Sequence, residues 1–296
     1  MNSNLLYGEI SAILTALSWS VSIIMFRHLG KSFTPLNLTL WKGSLAILGL
    51  AVTLFFTRIP ISPETNDILW LLLSGAIGIG IGDSAFFAAL NRMSESTTLL
   101  LTETLAPIMT ALLAMIWLAE WLTVWQWLAI AVILFGVDIV IRSRKRKRKI
   151  VAVTLSGFNF AALAALCQAI GAVIGRDVLV SSQLDAITAS LIRLIGGVVT
   201  VAIFLIFSKD SWFPKANQNP HTWKMLIFAT FFGTFLAMMF QTYAFANAPA
   251  AIVQSLFASS IIFSLIIAYL LGQKVSLRAF VGSGIALMGV GLIMFV

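Results

Sequence analysis

The chain has 296 residues, of which 60% are hydrophobic and only 10% charged, with a mean hydropathy of +1.01 and a net charge of +8. That composition excludes a soluble globular enzyme or a cytosolic binding module and leaves no room for a separate soluble domain. A single cysteine, Cys167, excludes an internal disulfide.

Windows of about 20 apolar residues, the length that crosses a bilayer as a helix, recur along the whole chain. They predict ten spans at roughly 5–27, 35–57, 68–91, 95–118, 122–141, 152–176, 185–208, 222–246, 250–271 and 276–296. The first has no basic residue ahead of it and no small-residue cleavage site, so it reads as a retained span and not a removable signal peptide; it carries Trp19. Span two has Lys42 early in its course. Span three contains GIGIGD, Gly78 to Asp83, and its Gly75, Gly78 and Gly82 fall at i, i+3 and i+7, a face on which another helix can approach closely. Span four carries Glu103. Glu120 stands at the start of span five, where a carboxylate is expected to cap the helix and meet the positive end of its dipole. Asp138, at the far end of that span, reads as an interfacial structural group.

Between spans five and six runs Arg142-Ser143-Arg144-Lys145-Arg146-Lys147-Arg148-Lys149. Such a run invites a nucleic-acid reading, but next to a membrane span it is held to anionic lipid by about 1 kcal/mol per residue and fixes orientation during insertion. Anionic lipid is therefore the expected partner at 142–149, and nucleic acid is not. Span six holds Cys167 and Gln168, span seven Arg193, and span eight Gln241 and Tyr243. In the last span Gly282 and Ala286, four apart, offer a packing surface for a homodimer. His28 and His221 read as solvated loop residues, and no metal-ligand cluster, phosphate loop or cofactor motif is recognisable.

Basic residues divide unevenly between the two sides. Arg27, Lys31, Arg92, the basic run, Lys209, Lys215, Lys224, Lys274 and Arg278 fall on one, and only Arg58 and Arg176 on the other. By the positive-inside rule the first side is cytoplasmic and both termini lie outside a cell membrane. Trp70, Trp117, Trp121 and Trp125 gather at the opposite face, as an interfacial aromatic belt does.

The two halves overlay. Glu120 to Gly136 aligns with Gln273 to Gly289 at a shift of 153 (273 − 120), Gly8 with Gly157 and Arg27 with Arg176 at a shift of 149 (157 − 8), and Lys42 with Arg193 once two residues are inserted. Five spans per half is an odd number, so the second half, 150–296, must enter the membrane in the opposite sense to the first, 1–149. Inverted repeats of this kind hold their binding site near the midplane between the halves. Trp19, Lys42, the stretch FFAALNRMSES from Phe86 to Ser96, Leu105-Ala106-Pro107, and Glu120 followed by Gly136 resemble the EamA-type repeat of the drug/metabolite transporter superfamily. The second half departs from the pattern, with Gln273 for the glutamate, Ser260 for the proline and Gln168 for the tryptophan. The resemblance implies an all-α carrier of ten helices for small metabolites, often an exporter of amino acids or related compounds, without enzyme activity.

Lys42, Asp83, Glu103, Asp138 and Arg193 lie within spans, where each costs about 2.5–3.5 kcal/mol at a helix centre and needs a partner or a water-filled cavity. A rise of 1.5 Å per residue puts Lys42, Asp83 and Glu103 roughly 9–14 Å below the basic face. Arg193 comes out at roughly 12 Å below the other face, about one turn from the carboxylates in depth. Its own half supplies no acid, since the shift of 153 sets Leu236 and Leu256 opposite Asp83 and Glu103. Arg193 therefore pairs across the repeat interface or awaits an anionic substrate group. The expected site is a central cavity in which Arg193 or Lys42 receives a carboxylate and Asp83 or Glu103 an amine or a coupled proton, within walls formed by Trp19, Gln168, Gln241 and Tyr243. A lipid flippase or a non-transporting scaffold is the alternative on the same architecture. Gly80-Ile81-Gly82-Asp83 also fits the Gly-x-Gly-Asp signature of intramembrane aspartyl proteases, but that family needs a second aspartate after a tyrosine and a Pro-Ala-Leu motif. Here Tyr7, Tyr243 and Tyr269 precede Gly8, Ala244 and Leu270, and Pro-Ala-Leu does not occur.

Overall fold

The computed structural model describes residues 3–58, 63–93, 95–145, 154–182, 184–208, 210–214, 220–270, 272 and 275–295. Ten helices in it are long and apolar enough to cross a bilayer: α1 (Asn4–Leu29), α2 (Pro35–Thr57), α3 (Thr65–Arg92), α4 (Thr97–Trp117), α5 (Val124–Ser143), α6 (Leu155–Ser182), α7 (Ala186–Phe207), α8 (Pro220–Asn247), α9 (Ala250–Ile267) and α10 (Leu277–Phe295). No strand occurs among the described residues. Helices satisfy their own backbone groups where lipid offers no hydrogen bonds, which is why this composition folds only this way. An even number of crossings leaves both ends on one side, the terminal face; the connections α1–α2, α3–α4, α5–α6, α7–α8 and α9–α10 form the other, the basic face. Residues 146–149 of the basic run, and the expected division between 149 and 150, lie outside the described residues.

Local signals set where the helices start. The Thr34 hydroxyl accepts from the Asn37 N–H at 3.4 Å, and Pro35 follows at the first helical position of α2. Asp185 caps α7 in the same way, accepting from Ile187 and Thr188 N–H at 2.9 Å each. Those two caps fix the depth of a cation seven residues inside each helix, Lys42 (42 − 35) and Arg193 (193 − 186). The start of α5 is a capping box, with Thr123 Oγ1 accepting from the Gln126 N–H and Gln126 Oε1 from the Thr123 N–H. Glu120 is thereby displaced from the role expected of it. It accepts from Arg176 Nε at 2.7 Å and from the Ala250 N–H at 2.9 Å, so it caps the start of α9 in the other half.

Both α3 and α8 widen at mid-span into a π-helical turn, Ala76–Ile81 and Phe231–Leu236. One shift of 155 relates the turns (231 − 76), the helix starts Thr65 and Pro220, and the ends Arg92 and Asn247. The inverted repeat is present, but its register through this helix is 155 and not the 153 read from the last helix pair. The second half has two residues fewer between α8 and the Gln273 position (273 − 247 = 26) than the first between α3 and Glu120 (120 − 92 = 28).

The halves interlock. α3 is wedged between α6 and α7, α2 lies on α7, α4 on α6, and α1 on α8 and α9. Gly75, Gly78 and Gly82 are the contact points, against two helices instead of one. A Cβ on Gly75 would come within 1.7 Å of the Arg193 carbonyl oxygen in α7, whereas Gly78 faces Gly171 and Gly82 faces Cys167, both in α6. On α10 the surface of Gly282 and Ala286 is occupied within the chain. α5 packs along it so closely that a Cβ on Gly136 would lie 2.4 Å from the Ala286 nitrogen. The small-residue face expected to form a homodimer is therefore an internal helix crossing. Trp70 and Trp117 meet edge to face at 6.0 Å near the terminal face, with Trp121 and Trp125 exposed beside them. His28 and His221 sit in the last turn of α1 and the first of α8, not in loops.

Candidate functional site

Lys42 from α2 and Asp83, two residues beyond the π turn of α3, form an ion pair inside the bundle. Lys42 is only 2% exposed, and its Nζ also lies 5.6 Å and 5.3 Å from the ring centres of Phe26 and Phe87. Aromatic faces at that distance add cation–π attraction to the ion pair. Arg193, its counterpart in α7, is 4% exposed, and its Nε and Nη1 have no hydrogen-bond partner. Glycine at 175 makes room for it: a Cβ there would sit 3.4 Å from both Arg193 Cζ and Ser74 Oγ. Ser74 donates to the Gly171 carbonyl at 2.7 Å, which ties α3 to α6 beside the guanidinium.

These groups share one cavity between the halves, lined by both π turns through Gly78, Ile79, Gly233 and Thr234. Of the eight residues expected at the site, Trp19, Lys42, Asp83, Gln168, Arg193 and Gln241 line it. Trp19 is held edge to face by Phe86 at 5.9 Å and by Phe257 at 6.0 Å, which fixes one wall. The cavity volume is about 60 Å³, room for a few water molecules. Two wider clefts of about 490 and 500 Å³, each lined by both halves, open at the basic face beside Thr34 and Arg92 and at the terminal face beside Arg176 and Asp185.

Two expected residues are elsewhere. Tyr243 is 42% exposed and borders the terminal-face cleft. It follows Gln241 by two residues, about 200° around a helix at 100° per residue, so the two cannot face the same cavity. Glu103 is buried on α4 with its Oε2 unpartnered, but it does not line the cavity. Its depth was readable from sequence, whereas the direction it takes from the helix axis depends on how α4 is turned against α6 and α9. Sequence reasoning passed over Gln254, whose amide lines the cavity from the first turns of α9, and Glu9, buried on α1 away from it. The signal for both was a polar residue inside an apolar run. Asp138 accepts from Arg142 Nε at 2.6 and 2.8 Å, an i,i+4 pair at the end of α5.

The lining thus carries two cations and one carboxylate, and Asp83 is engaged by Lys42. A desolvated guanidinium lacking a counter-ion is costly, and an anionic oxygen relieves it by charge-assisted hydrogen bonds. Among the described residues no group of three or more His, Cys, Asp or Glu gathers that could hold a metal.

Hydrogen bonds join the halves at both faces. At the terminal face Arg176 binds Glu120, and Trp117 Nε1 donates to Asp177 Oδ2 at 2.9 Å. At the basic face Asn37 Nδ2 donates to the Ser211 and Phe213 carbonyls, and Trp41 Nε1 to the Trp212 carbonyl at 3.0 Å.

Residues 6–142 and 155–295 each match the family model of the EamA-like transporter family. A relative from Bacillus subtilis (strain 168), the uncharacterized transporter YyaM, is 25% identical over 260 residues, spanning 87% of this chain and 84% of that protein. A crystal structure described only as that of a protein superposes with a TM-score of 0.76 at 13% identity, over 96% of this chain and 95% of that one, a likeness of fold alone.

Proposed function

The chain belongs to the EamA-like transporter family of the drug/metabolite transporter superfamily, a membrane transporter of small solutes, and from that premise we propose that it is a secondary carrier exporting amino acids or related metabolites by alternating access. The observation that carries this reading is Arg193, a buried cation with two unpartnered nitrogens on a side chain that belongs to the lining of a cavity at the repeat interface. Inverted-repeat carriers hold their substrates at that position. Arg193 receives the carboxylate, while Trp19, Gln168, Gln241 and Gln254 line the space around the rest of the solute.

A cavity of about 60 Å³ holds water but no metabolite, so loading requires the halves to part. Breaking the terminal-face bonds while keeping the basic-face ones opens one cleft, and the reverse opens the other. Asp83, released from Lys42 as the halves move, is the candidate for a coupled proton. Export direction and the amino-acid class rest on the family resemblance. The basic face is placed in the cytoplasm, where the run at 142–149 meets anionic lipid, and both termini are placed outside.

The test is uptake of labelled small solutes by purified protein in liposomes. Saturable movement that Arg193→Gln abolishes, with the variant still folded by size-exclusion chromatography, is the expected result. Transfer of labelled phospholipid with no saturable solute movement would replace the carrier by a flippase.

A further inference from the structure

The two halves supply the cavity with the same kind of cation but not with the same counter-ion. Lys42 and Arg193 stand at equivalent positions, each seven residues past a capped helix start. The shift of 155 that superposes α3 on α8, including both π turns, makes Met238 the equivalent of Asp83 (238 − 83), and both side chains line the cavity. In the first half the cation is therefore neutralised within the protein. In the second half a thioether stands where the carboxylate would be. It is a weak acceptor without charge, and Arg193 Nε and Nη1 have no partner.

We propose that Met238 is the specificity-determining residue of the site. By withholding a counter-ion from Arg193 it leaves the cavity one positive charge in excess, which the solute must supply with its own carboxylate. Carboxylate-bearing solutes are therefore accepted whether or not they carry an amine, and solutes bearing only an amine are refused. This rests on the reading of the cavity as the transport site.

The experiment uses Met238→Asp, which installs the first half's chemistry in the second, with Met238→Leu as a control of similar volume. The first readout needs no solute. If an acid at this position reaches Arg193, the Met238→Asp protein unfolds roughly 3–6 °C above the Met238→Leu protein in detergent. The second readout is exchange across liposomes of alanine, N-acetylalanine and alaninamide. Wild type and Met238→Leu are expected to move N-acetylalanine and alanine at least tenfold faster than alaninamide, and Met238→Asp to lose that preference, a ratio set by one charged hydrogen bond. Alaninamide moving as fast as N-acetylalanine in wild type overturns the proposal while leaving the carrier intact. No gain in stability with Met238→Asp also overturns it, because the position then does not govern Arg193. A stability gain with no exchange of any probe overturns the substrate assignment, and the wider solute screen with Arg193→Gln then decides the carrier reading separately.

Discussion

Gly75→Ala tests the crossing on which the cavity is hung. The added methyl would fall 1.7 Å from the Arg193 carbonyl oxygen, and a Cβ on Gly196, across the same crossing, 2.1 Å from the Leu72 carbonyl oxygen. Ordinary contact is about 3.5 Å, so α3 and α7 must separate by roughly 1.8 Å at Gly75, and since both obstacles are backbone, no side chain can turn aside instead. Overpacking of this kind costs about 1–3 kcal/mol, against which the better helix propensity of alanine returns up to about 1 kcal/mol. A net loss near 2 kcal/mol corresponds to a thermal midpoint lowered by roughly 4–8 °C. Gly284→Ala is the matched control: a Cβ there meets nothing within 4 Å, so only the propensity gain applies. Its midpoint should stay level or rise. The obstacle to Gly75→Ala belongs to Arg193, one of the residues that line the cavity, so solute exchange should fall along with stability. Thermal unfolding of the three proteins in detergent, scored by loss of the monodisperse peak, decides the matter. A Gly75→Ala protein as stable as Gly284→Ala would refute the close crossing and the placement of Arg193 that depends on it.

Glu120→Ala removes the acceptor of both Arg176 Nε and the Ala250 N–H. With the pair 13% and 16% exposed, the loss should fall somewhat below the 3–5 kcal/mol of a fully buried pair, and a double-mutant cycle with Arg176→Ala should give a coupling above about 0.5 kcal/mol. Lys42→Met strands Asp83 in the cavity and should lower the thermal midpoint more than the double change Lys42→Met/Asp83→Met, which removes the charge left alone; equal losses would contradict the pairing. Tyr243→Phe should leave solute exchange within about twofold of wild type, whereas Gln241→Leu, which takes a polar group from the cavity wall, should reduce it more than tenfold, as follows when the solute forfeits one buried hydrogen bond.

Ten spans were readable because a helix needs about 20 apolar residues to cross a bilayer, and the depths of Lys42 and Arg193 followed from the apolar span starts, which the caps at Thr34 and Asp185 bear out. Azimuth was another matter. Asp83 and Glu103 share a depth, yet only Asp83 lines the cavity, since the rotation of each helix is settled by its neighbours. Neither π turn leaves a sequence mark, for AIGIGI at 76–81 and FFGTFL at 231–236 have no residue pattern in common beyond one aligned glycine, Gly78 with Gly233. Leu236 was set opposite Asp83, where the structure sets Met238, because the shift was read from the last helix pair and the second half is two residues shorter between α8 and the Gln273 position. The stripe of Gly282 and Ala286 fixes that a helix comes close, but not whether that helix belongs to the same chain.

An inverted repeat that exchanges two conformations needs halves alike enough for each to take the other's place, yet its solute has no two-fold symmetry. The frame accordingly repeats: capped starts at Thr34 and Asp185, π turns at equal positions, Gly78 against Gly233, Arg27 against Arg176, and a cation at equal depth in α2 and α7. Differences gather at Trp19 against Gln168 and Asp83 against Met238 in the cavity, and at Glu120 against Gln273 in the connection ahead of the last helix of each half. The first two pairs give the solute a polarity it can be read by, an aromatic and ion-paired wall facing an amide and an unpaired guanidinium. The third leaves the terminal face tied by an ion pair where the equivalent position in the other half carries no charge. Salt screens this partly buried pair little while the face is closed but screens both charges once opening exposes them, which favours the open state. Raising salt should therefore favour opening at the terminal face, measurable as faster labelling there of a single cysteine placed at Leu179, in a background lacking Cys167, by an impermeant thiol reagent; labelling unchanged by salt would show that Glu120 and Arg176 do not hold that face shut.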